Sequence, residues 1–298
     1  MVFITPLSLS ILSAFFIIRK CWTRHRKKSF PTLTDMKNEI LSTLPGDHPW
    51  AEYLHVEDCL PSTNRKLKIL AQAGATEGTI IIAREQTAGR GRMGRSFYSQ
   101  KDTGLYFSCL LRPNCAPTDL MHLTCATGVA VCKAAERATG VKPQIKWIND
   151  LVLSRKKLGG ILTELSIDPK TGLVSYAIIG IGINCLQKSF PEELSQIATS
   201  LLMEDIPCAP ARLAAYIMEE LERLSHTLLT EKNNWMEEYK ALCITLGKEV
   251  KVFAGDNTYT GTAKDIAPDG SLLVCLPDGT EMLVSSGEAS VRGLWGYL

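Results

Sequence analysis

The chain has 298 residues, of which 45% are apolar and 21% are charged. These values are typical of a globular protein and allow one large domain with a smaller one beside it. A net charge of +2 gives no reason to expect a nucleic-acid partner, because the positive charge is concentrated locally. The ten cysteines lack C-x-x-C spacing and the five histidines do not cluster, which argues against zinc and favours a reducing compartment.

The first 30 residues differ in character from the rest. Residues 2–18 are apolar, basic residues follow at 19–28, and no acidic residue precedes Asp35. A cleavable secretory signal is disfavoured because the positive charge follows the apolar run. A short membrane anchor facing the cytoplasm, an organellar presequence and an extension without a role remain open. We expect a cytoplasmic protein, with organellar or membrane-anchored placement as the alternatives.

A polar connector at residues 31–50, with some helical potential, leads into a large unit at 51–246. Ser62 and Thr63 are suitable N-caps for a helix that ends at Gly74. Further helices are predicted at 118–138, 210–230 and 234–245. Strands are predicted at 53–56, 79–83, 105–111, 144–148, 158–167 and 173–183. The last two strands contain Gly159, Gly160, Gly180 and Gly182, which suggest close backbone approach.

After Gly247 the pattern changes to short strands separated by turn-forming residues. Strands are predicted at 249–253, 258–266, 271–276 and 281–285. Gly-Asp-Asn and two copies of Pro-Asp-Gly separate them, and these residues favour tight turns. The fold class is therefore α+β, with a mixed β-sheet packed with helices at 51–246 and a small β-barrel at 247–298.

The segment from Gln86 to Arg95 is the most informative about function. It reads Gln-Thr-Ala-Gly-Arg-Gly-Arg-Met-Gly-Arg, so that three glycines alternate with three arginines. Glycine permits close backbone approach to a ligand, and arginine supplies a permanent charge that suits carboxylates and phosphates. Such a loop suits a reaction that brings two anions together. For the loop alone, a solvated basic segment or a nucleic-acid contact is the plainer alternative.

Other polar clusters accompany this loop. Ser-Thr-Asn at 62–64 begins the first helix, Lys-Trp-Ile-Asn-Asp at 146–150 precedes Lys-Leu-Gly-Gly at 157–160, and Gly-Ile-Gly-Ile-Asn at 180–184 ends a strand. Singly, each has a structural explanation as a helix cap, a hairpin turn, an edge lysine or a strand end. Their occurrence together, in this order, indicates a functional site.

In order and spacing, Gly-Arg-Gly-Arg-x-Gly-Arg, Lys-Trp-x-Asn-Asp, Lys-x-x-Gly-Ile-Leu and Gly-x-Gly-Ile-Asn resemble the biotin–protein ligases. The resemblance runs from about Val56 to the C-terminus, where residues 286–292 are similar to the family's closing strand. It implies a catalytic domain at 51–246 and an SH3-like barrel at 247–298. The implied enzyme uses ATP to make biotinyl-5′-adenylate and then acylates a lysine of a carrier domain. Residues 1–50 lie outside the resemblance, and we expect no repressor activity.

The resemblance also implies the site residues. Catalysis would rest on Lys157 and Arg92, with Lys157 contacting both the biotin carboxylate and the α-phosphate. The positions implied for biotin are Ser62, Thr63, Asn64, Gln86, Arg90, Gly91, Arg92 and Lys157. The positions implied for ATP are Arg90, Arg92, Arg95, Phe97, Lys146, Asn149, Asp150 and Asn184. Mg²⁺ is the expected cofactor, with unknown ligands for which Asp150 is a candidate. Trp147 either offers stacking surface or packs in the core.

The implied partner is the biotin carboxyl carrier domain of a carboxylase, and no nucleic acid is expected. A membrane tether through residues 2–18, a homodimer, the carboxylase that is modified and the base for the carrier lysine stay open. Two other functions compete. A lipoate–protein ligase would share the fold, but the arginine loop and the Lys-Trp-x-Asn-Asp motif belong to the biotin branch. A tethered, non-catalytic RNA-binding adaptor is disfavoured because the basic patch is confined to one loop.

Overall fold

The computed structural model of the chain describes residues 32–285 and, as backbone, residues 289–293. The predicted anchor or targeting segment at 1–30 lies outside the described residues, so the structure does not test this prediction. Across the described ranges, no helix has both the length and the apolar character that crossing a bilayer requires.

The large unit is built on a seven-stranded mixed sheet. Its strands are β1 (Leu54–Leu60), β2 (Ile80–Gln86), β3 (Gly104–Leu111), β4 (Gln144–Lys146), β5 (Asp150–Leu153), β6 (Lys156–Ile167) and β7 (Val174–Asn184). They lie in the order β1-β2-β3-β7-β6-β5-β4. The β1 and β2 strands pair in parallel, and the other neighbouring pairs are antiparallel.

Six α-helices lie within residues 32–285. They are α1 (Leu33–Thr43), α2 (Thr63–Gln72), α3 (Leu123–Thr139), α4 (Glu192–Ser195), α5 (Pro210–Thr227) and α6 (Lys232–Leu242). The α3 helix packs against β6, α5 and α6, and this layer forms most of the hydrophobic core. The α2 helix covers the other face, where Leu67 and Ala71 pack against Ile81, Leu110 and Ile178. Helices therefore cover both faces of the sheet. The ends of its central strands border the cavity that is described below.

The structure changes one predicted helix and adds elements that the sequence did not define. The predicted helix at 118–138 is split into a 3-10 turn (Pro117–Leu120) and α3, which begins only at Leu123. The connector contains α1, whose first turn is closed by Thr32 and Asp35 in a reciprocal pair of backbone-to-side-chain hydrogen bonds of 3.1 and 2.9 Å. The β5 strand was not predicted, because its four residues begin within a turn-like Asn-Asp pair and carry too little periodicity.

The C-terminal unit is a five-stranded antiparallel sheet in the order β11-β10-β9-β8-β12. Its strands are β8 (Glu249–Ala254), β9 (Asn257–Ile266), β10 (Leu272–Cys275), β11 (Glu281–Val284) and β12 (Ala289–Gly293). The four predicted strands are confirmed, and the predicted closing strand corresponds to β12, which pairs with β8. The α+β class with a small C-terminal β-unit is therefore confirmed.

The two units meet at the turn between β9 and β10. The indole N–H of Trp147 donates to the carbonyl of Gly270 over 2.9 Å. Gly270 has a φ of +89°, and a Cβ at this position would press on the thiol of Cys125. The turn therefore requires glycine to reach the indole. Beside it, Lys240 Nζ lies 3.0 Å from Asp265 Oδ1.

His122 makes the stability of the fold sensitive to acid. The side chain is fully buried at the start of α3, and its Nε2 lies 2.9 Å from the carbonyl oxygen of Leu228, to which it donates as the neutral ring. Burial lowers the pKa of His122. Because the unfolded chain keeps a histidine pKa of about 6.5, protons then bind the unfolded state more strongly. The contribution of the neutral, buried His122 to the free energy of unfolding is therefore complete above about pH 6.5 and is lost as the pH falls below that value.

Replacing His122 with glutamine keeps a donor for Leu228 and removes the titration. We expect the free energy of unfolding, measured by urea at pH 7.5 and pH 5.5, to fall less in His122→Gln than in the parent. Equal losses in both proteins would contradict this assignment.

Candidate active site

A cavity of about 500 Å³ lies between the glycine–arginine loop (residues 86–95) and strands β3, β6 and β7. Thirteen of the fourteen predicted site residues line it: Ser62, Thr63, Asn64, Gln86, Arg90, Gly91, Arg92, Arg95, Phe97, Lys146, Asn149, Asp150 and Lys157. Trp147 also lines the cavity and is 6% exposed, so it packs in the core beside the cavity, and stacking on a ligand stays a prediction. Segments that are far apart in the chain are therefore brought to one place.

Asn184 is the predicted residue that does not line this cavity. It is buried at the end of β7, where its Nδ2 donates to the carbonyl of Thr199 over 3.0 Å. Its Oδ1 accepts from Gln187 Nε2 over 3.3 Å. In this position Asn184 holds the segment that follows β7.

One side of the cavity is a polar floor, formed by Ser62, Thr63, Asn64 and Gln86. Ser62 occupies the predicted N-cap position of α2, but its side chain makes no capping hydrogen bond. Gln86 Oε1 instead accepts from the backbone N–H of Thr63 over 2.9 Å and from its hydroxyl over 3.1 Å. The cap is thus supplied from β2, which fixes the Gln86 amide in one orientation.

Ser108 supports the floor from behind, and it was not predicted from the sequence. It is fully buried in β3, and its hydroxyl lies 2.8 Å from Thr63 Oγ1 and 2.6 Å from Asn64 Oδ1. The signal in the sequence was a single hydroxyl within an apolar strand, which by itself is unremarkable. Asn64 Nδ2 donates in turn to Glu164 Oε2 over 2.8 Å. The floor is a connected network with fixed donor and acceptor directions.

The glycines of β6 and β7 make room for this arrangement. A Cβ at Gly180 would overlap the Asn64 amide, and a Cβ at Gly182 would overlap the ring of Phe97. A Cβ at Gly159 would overlap the carbonyl oxygen of Gly182. The predicted close approach is confirmed for these three glycines, whereas Gly160 has ordinary contacts.

The opposite side is a cationic rim, formed by Arg90, Arg92, Arg95, Lys146 and Lys157. The loop that carries the three arginines folds back on itself, with the N–H of Gly91 donating to the carbonyl of Arg95 over 2.7 Å. Arg92 Nη1 donates to Asn149 Oδ1 over 3.2 Å. Burial lowers the pKa of Arg92. The guanidinium nevertheless stays charged, because arginine does not lose its proton in proteins.

Lys157 also lines the cavity and belongs to strand β6. Its Nζ lies 2.6 Å from Asp150 Oδ1, and both side chains are partly exposed to the cavity. The pairing of β5 with β6 has an irregularity between Leu151 and Val152, which brings the two side chains onto the same face. Lys157 and Arg92 thus face one space, as the shared role predicted for them requires.

Two segments of the chain match known protein families. Residues 56–184 match the biotin/lipoate A/B protein ligase family, and residues 245–292 match the biotin protein ligase C-terminal domain. The first match defines the class of protein to which this sheet and cavity belong. The second match is to a domain that is named for the biotin protein ligases.

Curated relatives support the narrower assignment. The chain is 33% identical over 236 residues to the biotin–[acetyl-CoA-carboxylase] ligase of Mycobacterium tuberculosis, covering 76% of this chain and 84% of the relative. It is 35% identical over 243 residues to the bifunctional ligase/repressor BirA of Bacillus spizizenii, covering 79% and 73%. The chain belongs to the biotin protein ligase family.

Solved structures agree in fold. A biotin protein ligase from Aquifex aeolicus in complex with biotin and ATP is similar with a TM-score of 0.68 and 30% identity, over 80% of this chain and 98% of that one. A biotin protein ligase from Leishmania major in complex with biotinyl-5-AMP is similar with a TM-score of 0.54 and 26% identity, over 78% and 98%.

Proposed function

We propose that this cavity performs both half-reactions of an ATP-dependent biotin–protein ligase. Biotin and ATP first form biotinyl-5′-AMP, and the biotinyl group then passes to a lysine of a biotin carboxyl carrier domain. We assign the residues from one observation: uncharged polar side chains form the floor of the cavity, and cationic side chains form its rim. Biotin has the same division, with a neutral ureido ring at one end and a carboxylate at the other.

The ureido ring would lie on the polar floor. Its two N–H groups and its carbonyl lose water on burial and need matched partners. Thr63 and Asn64 present such partners in directions that are fixed by Gln86 and Ser108. With the ring placed there, the carboxylate points toward Lys157 across the cavity.

In the first half-reaction a biotin carboxylate oxygen attacks the α-phosphorus of ATP. A P–O bond forms, the bond to the bridging oxygen breaks, and pyrophosphate leaves. Both reactants are anions, so positive charge is needed where the transition state accumulates negative charge. We assign Lys157 to the carboxylate and the α-phosphate, and Arg90, Arg92, Arg95 and Lys146 to the triphosphate. Phe97 supplies apolar surface for the nucleotide.

Mg²⁺ fits this site as a companion of ATP. The ion commonly binds through one or two carboxylates together with substrate phosphates. Asp150 lines the cavity and offers such a carboxylate, beside the amide oxygen of Asn149. Within the described part of the chain, no group of three or more His, Cys, Asp or Glu side chains is placed so that it could hold a metal ion. When bound, the ion neutralises charge on the triphosphate.

In the second half-reaction the amine of the carrier lysine attacks the acyl carbon. An amide bond forms, the bond from that carbon to the phosphate oxygen breaks, and AMP leaves. We assign Asp150 as the acceptor of the proton that the amine loses. The adenylate is destroyed by water, so the glycine–arginine loop would cover it until the carrier arrives.

The remaining assignments are not carried by the geometry and stay predictions. The predicted contact of Asn184 with ATP is one of them, because the residue lies away from the cavity. The tether at residues 2–18, the homodimer, the absence of a nucleic-acid partner and the cytoplasmic location are the others.

The direct test is incubation of the chain with biotin, ATP, Mg²⁺ and a carrier domain, followed by detection with streptavidin. We expect a biotinylated carrier that depends on ATP and on the acceptor lysine. Lipoate in place of biotin should neither be transferred nor raise the melting temperature. Transfer of lipoate, or RNA binding without stabilisation by biotin, would overturn the proposed function.

A further inference from the structure

Glu164 lies beside the cavity and belongs to none of the groups assigned above. It extends from β6 with a side-chain exposure of 27%. Its Oε2 accepts from Asn64 Nδ2 over 2.8 Å, and its Oε1 accepts from Arg90 Nη1 over 3.2 Å. The two oxygens of one carboxylate therefore contact one residue of the floor, Asn64, which we assign to biotin, and one residue of the loop, Arg90, which we assign to the triphosphate.

A carboxylate in this position requires an explanation. The substrates of the proposed function are a carboxylate and a triphosphate, and a third negative charge nearby repels both. An uncharged acceptor would satisfy the Asn64 amide equally well. The charge is of use only toward Arg90, which is the partner that carries the opposite charge.

The two contacts of Glu164 differ in how firmly they are held. Asn64 is 4% exposed, and its amide oxygen is held by Ser108, so the floor end of the bridge is shielded from water. The Arg90 side chain is 54% exposed, and exposed ion pairs of this kind are weak and exchange readily. The floor end is thus the more firmly held of the two contacts, and the loop end is the one that opens and closes more readily.

We propose that Glu164 is a positioning residue that fastens the glycine–arginine loop to the polar floor. It holds the Asn64 amide in the orientation that the floor requires and returns Arg90 to the cavity after each opening of the loop. This role rests on the proposed function, in which the loop retains biotinyl-5′-AMP. Glu164 therefore controls how long the adenylate is held, and does not act on the reacting atoms.

Glu164→Gln separates the two ends of the bridge. The glutamine oxygen still accepts from Asn64, while its NH₂ group faces the donors of Arg90 and the loop contact is lost. We expect biotinyl-5′-AMP to dissociate about fivefold faster and the KM for biotin to rise by a similar factor, as for loss of one partly exposed charged contact. The first-turnover rate of adenylation at saturating substrates should stay within about twofold of the parent.

Two further variants sharpen the test. Glu164→Asp keeps the charge, but the side chain is one methylene shorter and cannot reach both partners, so we expect it to behave like Glu164→Gln. Glu281→Gln removes the same charge from an exposed ion pair with Lys264 in the C-terminal sheet and should leave adenylate release unchanged.

Trypsin supplies a readout that does not depend on activity, because Arg90, Arg92 and Arg95 are cleavage sites within the loop. Without substrates, cleavage in the loop should be faster in both Glu164 variants than in the parent and in Glu281→Gln. Unchanged cleavage and unchanged adenylate release in Glu164→Gln would overturn the positioning role, as would a loss confined to the first-turnover rate. A parent protein that forms no adenylate would instead refute the proposed function, and the tryptic comparison would still report on the bridge.

Discussion

Lys157→Ala is expected to lower the rate of biotinyl-5′-AMP formation by roughly 100- to 1000-fold, the usual cost of removing one group that stabilises developing charge. Lys157 Nζ lies 2.6 Å from Asp150 Oδ1. Its removal deletes a cation from the cavity and also leaves the Asp150 carboxylate facing two anionic substrates. The measurement is biotin-dependent exchange of pyrophosphate into ATP.

Lys156→Ala is the matched control for this experiment. Lys156 is the preceding residue of β6, its side chain points to the opposite face of the sheet, and it does not line the cavity. The Lys156→Ala substitution removes the same charge and the same length of side chain from the same strand as Lys157→Ala does. Near-normal exchange in Lys157→Ala, or an equal loss in both variants, would contradict the role assigned to Lys157.

Arg92→Gly is expected to release the adenylate about 10- to 100-fold faster, consistent with loss of a charged hydrogen bond from a partly buried group. Arg92 Nη1 donates to Asn149 Oδ1, and Asn149 Nδ2 donates to the carbonyl of Ile161 in β6. The substitution breaks this link between loop and sheet and adds a fourth glycine to the segment. Escaped adenylate acylates exposed lysines, so biotinylation of a bystander protein measures the release.

Met93→Gly separates the two effects of that substitution. Met93 is 64% exposed and has a φ of +54°, so glycine at this position adds backbone freedom without removing the contact to Asn149. We expect much less bystander labelling from Met93→Gly than from Arg92→Gly. Equal labelling would show that loop flexibility, and not the arginine contact, retains the adenylate.

The predictable part of the site consists of polar residues in places where a folded core selects apolar ones. Lys157 lies at the start of β6, before its apolar residues, and the arginines follow β2, so neither is explained by packing. The neighbouring strands were predicted because the first four residues of β2 are apolar and β3 is buried throughout its length, which is typical of strands covered on both faces.

The residues that the sequence did not reveal depend on register between distant strands. Ser108 and Asn64 meet because α2 lies across β3, and no local pattern encodes that crossing. Glu164 follows an apolar segment on a strand that runs out toward solvent, where a glutamate is ordinary. The side chain of Asn184 does not line the cavity, because it donates a hydrogen bond to Thr199, which is distant in the sequence. No local pattern in the sequence predicts that contact.

The hydrogen bond from Trp147 to Gly270 makes the C-terminal unit part of the wall behind the cavity. Trp147 lines the cavity, and its indole N–H donates to the carbonyl of Gly270 in a turn of the other sheet. A shift of that turn, or a change in its length, would therefore alter the shape offered to biotin and ATP without any residue of the turn meeting either molecule. Ligands that bind the turn containing Gly270, or mutations in it, would therefore change the activity of the enzyme without contacting its substrates.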